Sequence, residues 1–300
     1  MHITGLGEFG LIERFRKSIK TDPNLVIKGS GDDCAVLSFE KDKYQLFTCD
    51  MLVEGVDFRK NEDPYLVGRK SLAVSISDIA ACGGIPRHCL ISLGMPKDTL
   101  VKYLDRFFKG MVDITGKFKI NIVGGDLSRA KQLTIDVSML GIVEKKFLVL
   151  RSGAKNGDII FVTGKLGGSI KGKHLKFIPR LKEARLLVKN FKVNAMIDIS
   201  DGLAQDLGHI LEESHCGAVL YEGLIPLSRE AKGLNDALHS GEDFELLFTV
   251  AHEQAKKLFK KSRLYCCRPI GEITEKKYGL TLIDKEGREK TIKAEGFRHF

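Results

Sequence analysis

Apolar residues along this chain recur with two periods, and the switches between them mark out its elements. Phe9, Ile12, Phe15 and Ile19 fall on one side of a helix predicted over 8–20, where their role is packing. Apolar runs at 33–39 and 44–49 read as strands joined by the polar turn Lys41, Asp42 and Lys43. Asp63 and Pro64 carry the chemistry of a helix start, and the pattern runs through Leu66, Leu72, Ile76 and Ile79 to a stop at Gly83 and Gly84. Asp78 therefore lies late on a mostly apolar helix, where a buried acid needs a cation, a metal or a backbone donor. A strand at 88–93, a helix opening at Asp98, and strands at 121–123 and 132–143 follow. The polar, turn-rich stretch 151–157 reads as a boundary between two domains, 1–150 and 151–300. Beyond it come strands at 158–163, 195–199, 218–221, 244–250 and 280–283, with helices at 182–189, at 203–213 and near Ser228 and Glu253. Both halves are thus mixed α/β (α+β).

Composition narrows the class without naming a chemistry. The chain has 300 residues, 43% hydrophobic and 29% charged, which suits a globular protein of two domains. No apolar run reaches membrane-spanning length, and the first residues lack a basic region followed by an apolar segment, so a soluble cytoplasmic protein with no membrane partner is expected. Seven cysteines without a Cys-x-x-Cys spacing argue against a disulfide framework or a thiolate zinc site. The net charge of +9 is spread over scattered lysines and arginines without interleaved aromatics, so no nucleic-acid partner is expected. A positive surround would still draw in polyphosphate substrates.

The acids change the picture. Asp198-Ile199-Ser200-Asp201-Gly202-Leu203 puts two carboxylates and a hydroxyl at one strand-to-helix turn. Such a turn is either a helix N-cap or a place where phosphate meets a hard cation. Similar acid-bearing stretches recur at Gly31-Asp32-Asp33, Thr48-Cys49-Asp50, Asp78, Gly124-Gly125-Asp126 and Gly241-Glu242-Asp243. Two carboxylates about 4 Å apart repel by about 4 kcal/mol at an effective dielectric near 20, so these acids cannot gather without cations. Oxygen-only donors favour Mg²⁺, which completes its shell with water and substrate phosphates, and that points to phosphoryl transfer.

Other motifs carry less. The loop 164–169 lacks the spacing of a phosphate-binding loop, and Gly5, Gly7 and Gly10 match a dinucleotide fingerprint without the preceding strand it requires. His88, His174, His209, His215 and His239 occupy no nucleophile-elbow context and read as surface or structural residues.

Taken in order, the motifs resemble those of the thiamine-monophosphate kinases, in the superfamily that includes aminoimidazole ribonucleotide synthetase, selenophosphate synthetase and a hydrogenase maturation protein. The resemblance spans nearly the whole chain: Gly7-Glu8-Phe9, Gly31-Asp32-Asp33-Cys34-Ala35, Cys49-Asp50-Met51-Leu52-Val53-Glu54-Gly55, Lys70 through Asp78 to Ala81, Gly124-Gly125-Asp126, Arg151-Ser152-Gly153-Ala154-Lys155, Asp198 to Ile210, Gly241 to Leu246, and Gly296-Phe297-Arg298-His299-Phe300. It implies an aminoimidazole ribonucleotide synthetase-like fold in two domains. The first would bind ATP and Mg²⁺ and pair its sheet across a homodimer; the second would close over the nucleotide and the substrate. It also implies transfer of the γ-phosphoryl of ATP to thiamine monophosphate. By the same resemblance Asp33, Thr48, Cys49, Asp50, Asp78, Asp126, Asp198 and Asp201 would hold Mg²⁺, with transfer depending on Asp126 and Asp201. Gly125, Asp126, Arg151 and Ser200 would contact ATP, and Asp57, Glu242 and Phe297 the acceptor. The rivals are a superfamily enzyme acting on another phosphorylated or carboxylated metabolite, and a non-catalytic nucleotide-binding dimer. Three departures stand out: Asp57 where the family usually has His, Cys49 where Thr is common, and a short segment between Ser169 and Pro179.

Overall fold

The computed structural model describes residues 2–299, so Met1 and Phe300, the last residue of the C-terminal motif, lie outside the described residues. Two sheets organise the chain. The first contains β1 (Val26–Lys28), β2 (Ala35–Glu40), β3 (Lys43–Val53), β4 (Ile85–Met95), β5 (Asn121–Arg129) and β6 (Thr134–Glu144), in the order β1-β2-β3-β6-β4-β5. All its pairings are antiparallel except β4 with β5. The second contains β7 (Ile159–Thr163), β8 (Val193–Asp198), β9 (Cys216–Tyr221), β10 (Leu246–Val250), β11 (Cys267–Glu275), β12 (Leu280–Ile283) and β13 (Glu289–Thr291), in the order β13-β12-β9-β11-β7-β10-β8. Here only β12 with β9 is parallel.

The helices are α1 (Gly7–Arg16), α2 (Pro64–Ala81), α3 (Val101–Phe118), α4 (Lys173–Lys176), α5 (Leu181–Asn190), α6 (Leu203–Ser214), α7 (Leu234–His239), α8 (His252–Phe259) and α9 (Ser262–Tyr265). Helix α2 is the axis of the molecule. Asp63 caps it by accepting from the Tyr65 N–H at 3.0 Å, and Pro64 fills its first turn. Most residues of α2 are buried, the helix being enclosed by the first sheet and α3 and also by α4, α5 and β8 of the second half. Two glycines allow the close crossing with α3: a Cβ on Gly68 would lie 2.1 Å from the Phe107 carbonyl oxygen, and one on Gly110 2.0 Å from that of Tyr65.

The main core lies between the inner face of the first sheet and α2 with α3, where Ile135, Val137 and Met139 of β6 point inward in strict alternation. Two further cores cover the faces of the second sheet, one under α6 and one under α5 and α8. The outer face of the first sheet is open, with Phe47, Met51 and Leu90 exposed. Among the described residues no helix is long and apolar enough to cross a membrane.

Several elements depart from the sequence expectation. Helix α1 ends at Arg16 and buries none of its residues, so its apolar side is not a core contact. Strand β5 runs on to Arg129 and carries Gly124-Gly125-Asp126 inside a strand rather than at a turn. Strand β11 was not predicted at all: its pairing slips between Pro269 and Gly271, which breaks the apolar alternation. The helix expected near Ser228 begins only at Leu234.

Candidate active site

Helix α2 carries hydroxyls and one acid to the seam between the two sheets. Its Ser75 donates to Asp50 Oδ2 at 2.6 Å, and its Ser77 donates to Asp198 Oδ2 at 2.6 Å at the end of β8. Thr48, on the inner face of β3, donates to Asp78 Oδ2 at 2.5 Å. Asp33, in the turn before β2, meets the Arg151 guanidinium at 2.8 Å, and the Arg151 N–H donates to Asp32 Oδ2 at 3.1 Å. Carboxylate oxygens of Asp33, Asp78 and Asp198 lie within 4.8 Å of one another.

So many acids in one enclosed place resist ionisation. Burial, followed by the charge of Asp33, pushes Asp198 up to about 8. Asp32 rises to about 7 from burial and its neighbour Asp33, and Asp50 to about 6 chiefly from burial. Asp78 stands well above the carboxylate range because it is buried and faces Asp50, Asp198 and Asp33. Burial works against the charge of Arg151, yet Asp33 outweighs it and keeps the guanidinium firmly protonated. One cation is too few for this cluster. Asp33 Oδ2 is buried and has no hydrogen-bond partner among the described residues, as a carboxylate oxygen awaiting a cation would be. The donor set is all oxygen and fits a hard divalent cation.

A second group gathers at the start of α6, where Asp201, Asp206 and His209 offer ligand atoms within 4.8 Å. Here the structure decides between capping and a free acid. Asp206 Oδ2 accepts from the N–H groups of Asp201 at 3.1 Å and Gly202 at 3.0 Å, so Asp206 satisfies the turn. Asp201 is left free to face a cleft, its pKa raised to about 6 by burial and by Glu8. Burial and Arg151 lower His209 to about 4, which keeps that ring neutral.

The cleft, about 340 Å³, joins the two halves of the chain. Asp50, Ser200 and Asp201 line it, as do Asp57, Glu242 and Phe297, so every expected acceptor residue reaches one place. Val74, Phe58 and Phe244 supply apolar surface. The turn holding Glu242 is backbone-strained, with φ of +59° at Glu242 and +48° at Phe244. It is pinned by N–H donation from Glu242 to the Ser200 carbonyl at 2.6 Å and from Phe244 to that of Ile199 at 2.7 Å. Asp57 Oδ2 accepts from the Val53 N–H at 2.7 Å.

The most important residue that the sequence reading left without a role is Lys70. It is fully buried, and its Nζ lies 2.7 Å from each Glu242 oxygen and donates to the Asp57 carbonyl at 2.7 Å. One ammonium thereby ties together two walls of the cleft that come from opposite halves. A lysine inside the apolar run of α2 was the available signal, because a buried lysine requires a partner.

Two expected groups do not join the cluster within one chain. The register runs Met51 to Asp136 to Ser92 to Asp126 across four strands, which puts Asp126 three strand spacings, about 14 Å, from β3. Asp126 is exposed on the edge strand, and Gly125 lies beside it in the row of Asp50, Val137 and Ile91. Cys49 alternates away from Thr48 and Asp50 onto the outer face, where its Sγ donates to Asp136 Oδ2 at 3.2 Å. Its thiol is turned from the cluster, and only its backbone stays near.

The loop 164–169 is engaged elsewhere. Asp243, fully buried, accepts from the Gly167 N–H at 2.8 Å and the Ser169 hydroxyl at 2.5 Å. Beside it Glu245 takes Arg180 in a two-pronged pair at 2.6 and 2.9 Å, together with Lys173 at 3.0 Å. This ionic knot fixes the loop and α4 against the strained turn.

Comparison with known proteins places the whole chain in one family. Residues 31–143 match the family described as AIR synthase related protein, N-terminal domain, and residues 138–283 match its C-terminal domain. The chain is 40% identical to the thiamine-monophosphate kinase of Buchnera aphidicola subsp. Schizaphis graminum, over 98% of each chain. It is 32% identical to that of Aquifex aeolicus over 100% of each. Among solved structures it is similar to AaThiL complexed with AMPPCP and TMP, with a TM-score of 0.87 and 31% identity over 100% of this chain and 99% of that one.

Proposed function

From the premise that the chain belongs to the AIR synthase related family, among its thiamine-monophosphate kinases, we propose that it transfers the γ-phosphoryl of ATP to thiamine monophosphate, giving thiamine diphosphate and ADP. The observation that carries this reading is the meeting of a buried carboxylate cluster with a cleft that holds Asp57, Glu242 and Phe297. An acceptor phosphate is already ionised at neutral pH. The reaction therefore needs no protein nucleophile, and the work of the chain is to position two polyanionic groups and offset their charge.

Asp33, Asp50, Asp78 and Asp198 would hold Mg²⁺, which when bound supplies the positive charge that the phosphates and these acids both require. Arg151 stands beside the cluster, paired with Asp33, and its fixed positive charge would meet the phosphates. Asp201, freed by Asp206 from capping duty, and Ser200 border the cleft where the two substrates meet. Phe297 and Phe244 give apolar surface to the heterocycle.

Asp126 and Gly125 enter through assembly. The open outer face of the first sheet, with Phe47, Met51 and Leu90 exposed, suits pairing with a second copy, and we assign the protein a homodimeric state. A partner copy would bring its Asp126 edge toward a site that Asp126 does not reach within its own chain. Residues 1–150 then carry the cation cluster and the dimer face, and 151–300 close the nucleotide and acceptor site, in a cytoplasmic enzyme.

The test is ADP release from ATP and Mg²⁺ with and without thiamine monophosphate, the product being identified by mass. Thiamine diphosphate is expected from the wild type, with a loss of at least about 100-fold in Asp78→Asn. ADP release without thiamine diphosphate would overturn the acceptor assignment.

A further inference from the structure

We propose that His174 determines acceptor specificity by accepting, at Nε2, a hydrogen bond from the amino group of the acceptor's aminopyrimidine ring; this rests on the acceptor being thiamine monophosphate. The ring is buried, only 5% exposed, yet it lines the cleft together with Ile170 and Phe244. Its Nδ1 lies 2.9 Å from the Ser169 carbonyl oxygen, which can only accept, so Nδ1 carries the proton. In the neutral ring Nε2 is then a bare acceptor. Nε2 has no protein partner among the described residues and is not among the sealed orphan atoms, so it opens on the cleft.

Several of the other acceptors that line the cleft are already engaged. Both oxygens of Glu242 are engaged by Lys70, and Asp57 turns one oxygen to its own backbone at Val53. Asp50 and Asp201 belong to the cation end. Ile170 and Phe244 line the same cleft with apolar surface, as an aromatic heterocycle requires. The imidazole is also held still. Arg69 of α2 donates to the carbonyls of Leu175, within α4, and Phe177, just after it. Lys173 reaches Glu245 at 3.0 Å, and Phe177 stacks on Phe244 with ring centroids 4.2 Å apart. A site built to pair with a substrate N–H rejects the analogue that lacks it, because the buried acceptor is then left unpaired.

The experiment compares kcat/KM for thiamine monophosphate with that for the analogue whose pyrimidine amino group is replaced by hydrogen, in wild type, His174→Phe, His174→Gln and His174→Asn. Wild type is expected to favour the natural acceptor by about 10-fold, or about 1.4 kcal/mol. His174→Phe should bring that ratio to within about twofold of unity while leaving the KM for ATP within about twofold of wild type. Glutamine, whose oxygen reaches about as far as Nε2, should keep the preference, and asparagine should lose it. If the phenylalanine variant fails to fold, the Gln and Asn pair carries the test. An unchanged ratio in His174→Phe, equal ratios in the Gln and Asn variants, or no preference in the wild type would overturn the inference while leaving the reaction intact. A wild type that forms no thiamine diphosphate would overturn the reaction itself, and the inference with it.

Discussion

Replacing Lys70 by methionine removes the ammonium that joins Asp57 to Glu242 while keeping most of the side-chain volume. Three contacts at 2.7 Å disappear, and the Glu242 carboxylate is left facing Asp57 and Asp201 across the cleft without a counter-charge. Breaking a buried ion pair from one side costs about 3–5 kcal/mol. The Lys70 side chain is fully enclosed, but that of Glu242 is 25% exposed and can recover some water, so about 2–3 kcal/mol is expected here. For a chain of 300 residues that corresponds to a fall in Tm of about 3–5 °C. The chain contains no tryptophan, so unfolding is best followed by circular dichroism at 222 nm rather than by intrinsic indole fluorescence. If the stranded carboxylate causes the loss, Lys70→Met with Glu242→Gln should recover at least about half of it, a coupling that independent sites do not show. Strictly additive single-variant effects would refute the argument and reduce Lys70 to a packing residue.

Two further outcomes follow from the same geometry. With metal removed by EDTA, Asp32, Asp50 and Asp198 titrate at about 7, 6 and 8 in the folded chain, against an ordinary value of 3.8. Between pH 4 and 8 the folded state thus binds more protons than the unfolded one, so stability falls as pH rises through this window and levels off above it. Thermal melts in EDTA should give a lower Tm at pH 8 than at pH 5.5, with added Mg²⁺ raising Tm more at the higher pH; a flat profile would refute the account of the cluster. At the α2–α3 crossing, Gly110→Ala should cost about 1–3 kcal/mol, because its methyl would lie 2.0 Å from the Tyr65 carbonyl oxygen. Gly116→Ala on the same helix meets open space and should be neutral or stabilising by up to about 1 kcal/mol, and equal losses in both variants would contradict the packing described.

Much of the fold was legible because its strongest elements bury one face or all faces. The cap at Asp63 and the stop at Gly83 and Gly84 bracket α2 within a residue or two of its observed bounds. The alternation of Ile135, Val137 and Met139 marks β6 equally well. Legibility failed where tertiary pairing overrode local pattern. In β11 the apolar residues Cys267, Ile270 and Ile273 recur at a spacing of three that resembles a helix, because both faces of the sheet are covered and the pairing slips at Pro269. In β5 two glycines resembled a turn, yet a Cβ on Gly125 would lie 1.7 Å from the Ile91 carbonyl oxygen, so glycine there answers the approach of a neighbouring strand.

The candidate site was legible as a list of acids but not as an arrangement, and the reason is the two-residue period of a strand. Thr48, Cys49 and Asp50 are adjacent in sequence and read as one motif, yet Thr48 and Asp50 face α2 while Cys49 faces out. Conversely Asp198 and Asp33 are far apart in sequence, and their carboxylates, one held by Ser77 of α2 and the other by Arg151, come within reach of Asp78 only in the fold. The distinction matters for Asp126. It shares the outer face with Asp136 and Ser92, so no change of rotamer can carry it through the sheet to the cluster. A role for Asp126 in transfer therefore requires the outer face to meet another surface, and the exposed Phe47, Met51 and Leu90 on that same face are what a second copy would cover. Dimer assembly and Asp126 function stand or fall together: a monomeric protein with full activity would remove both.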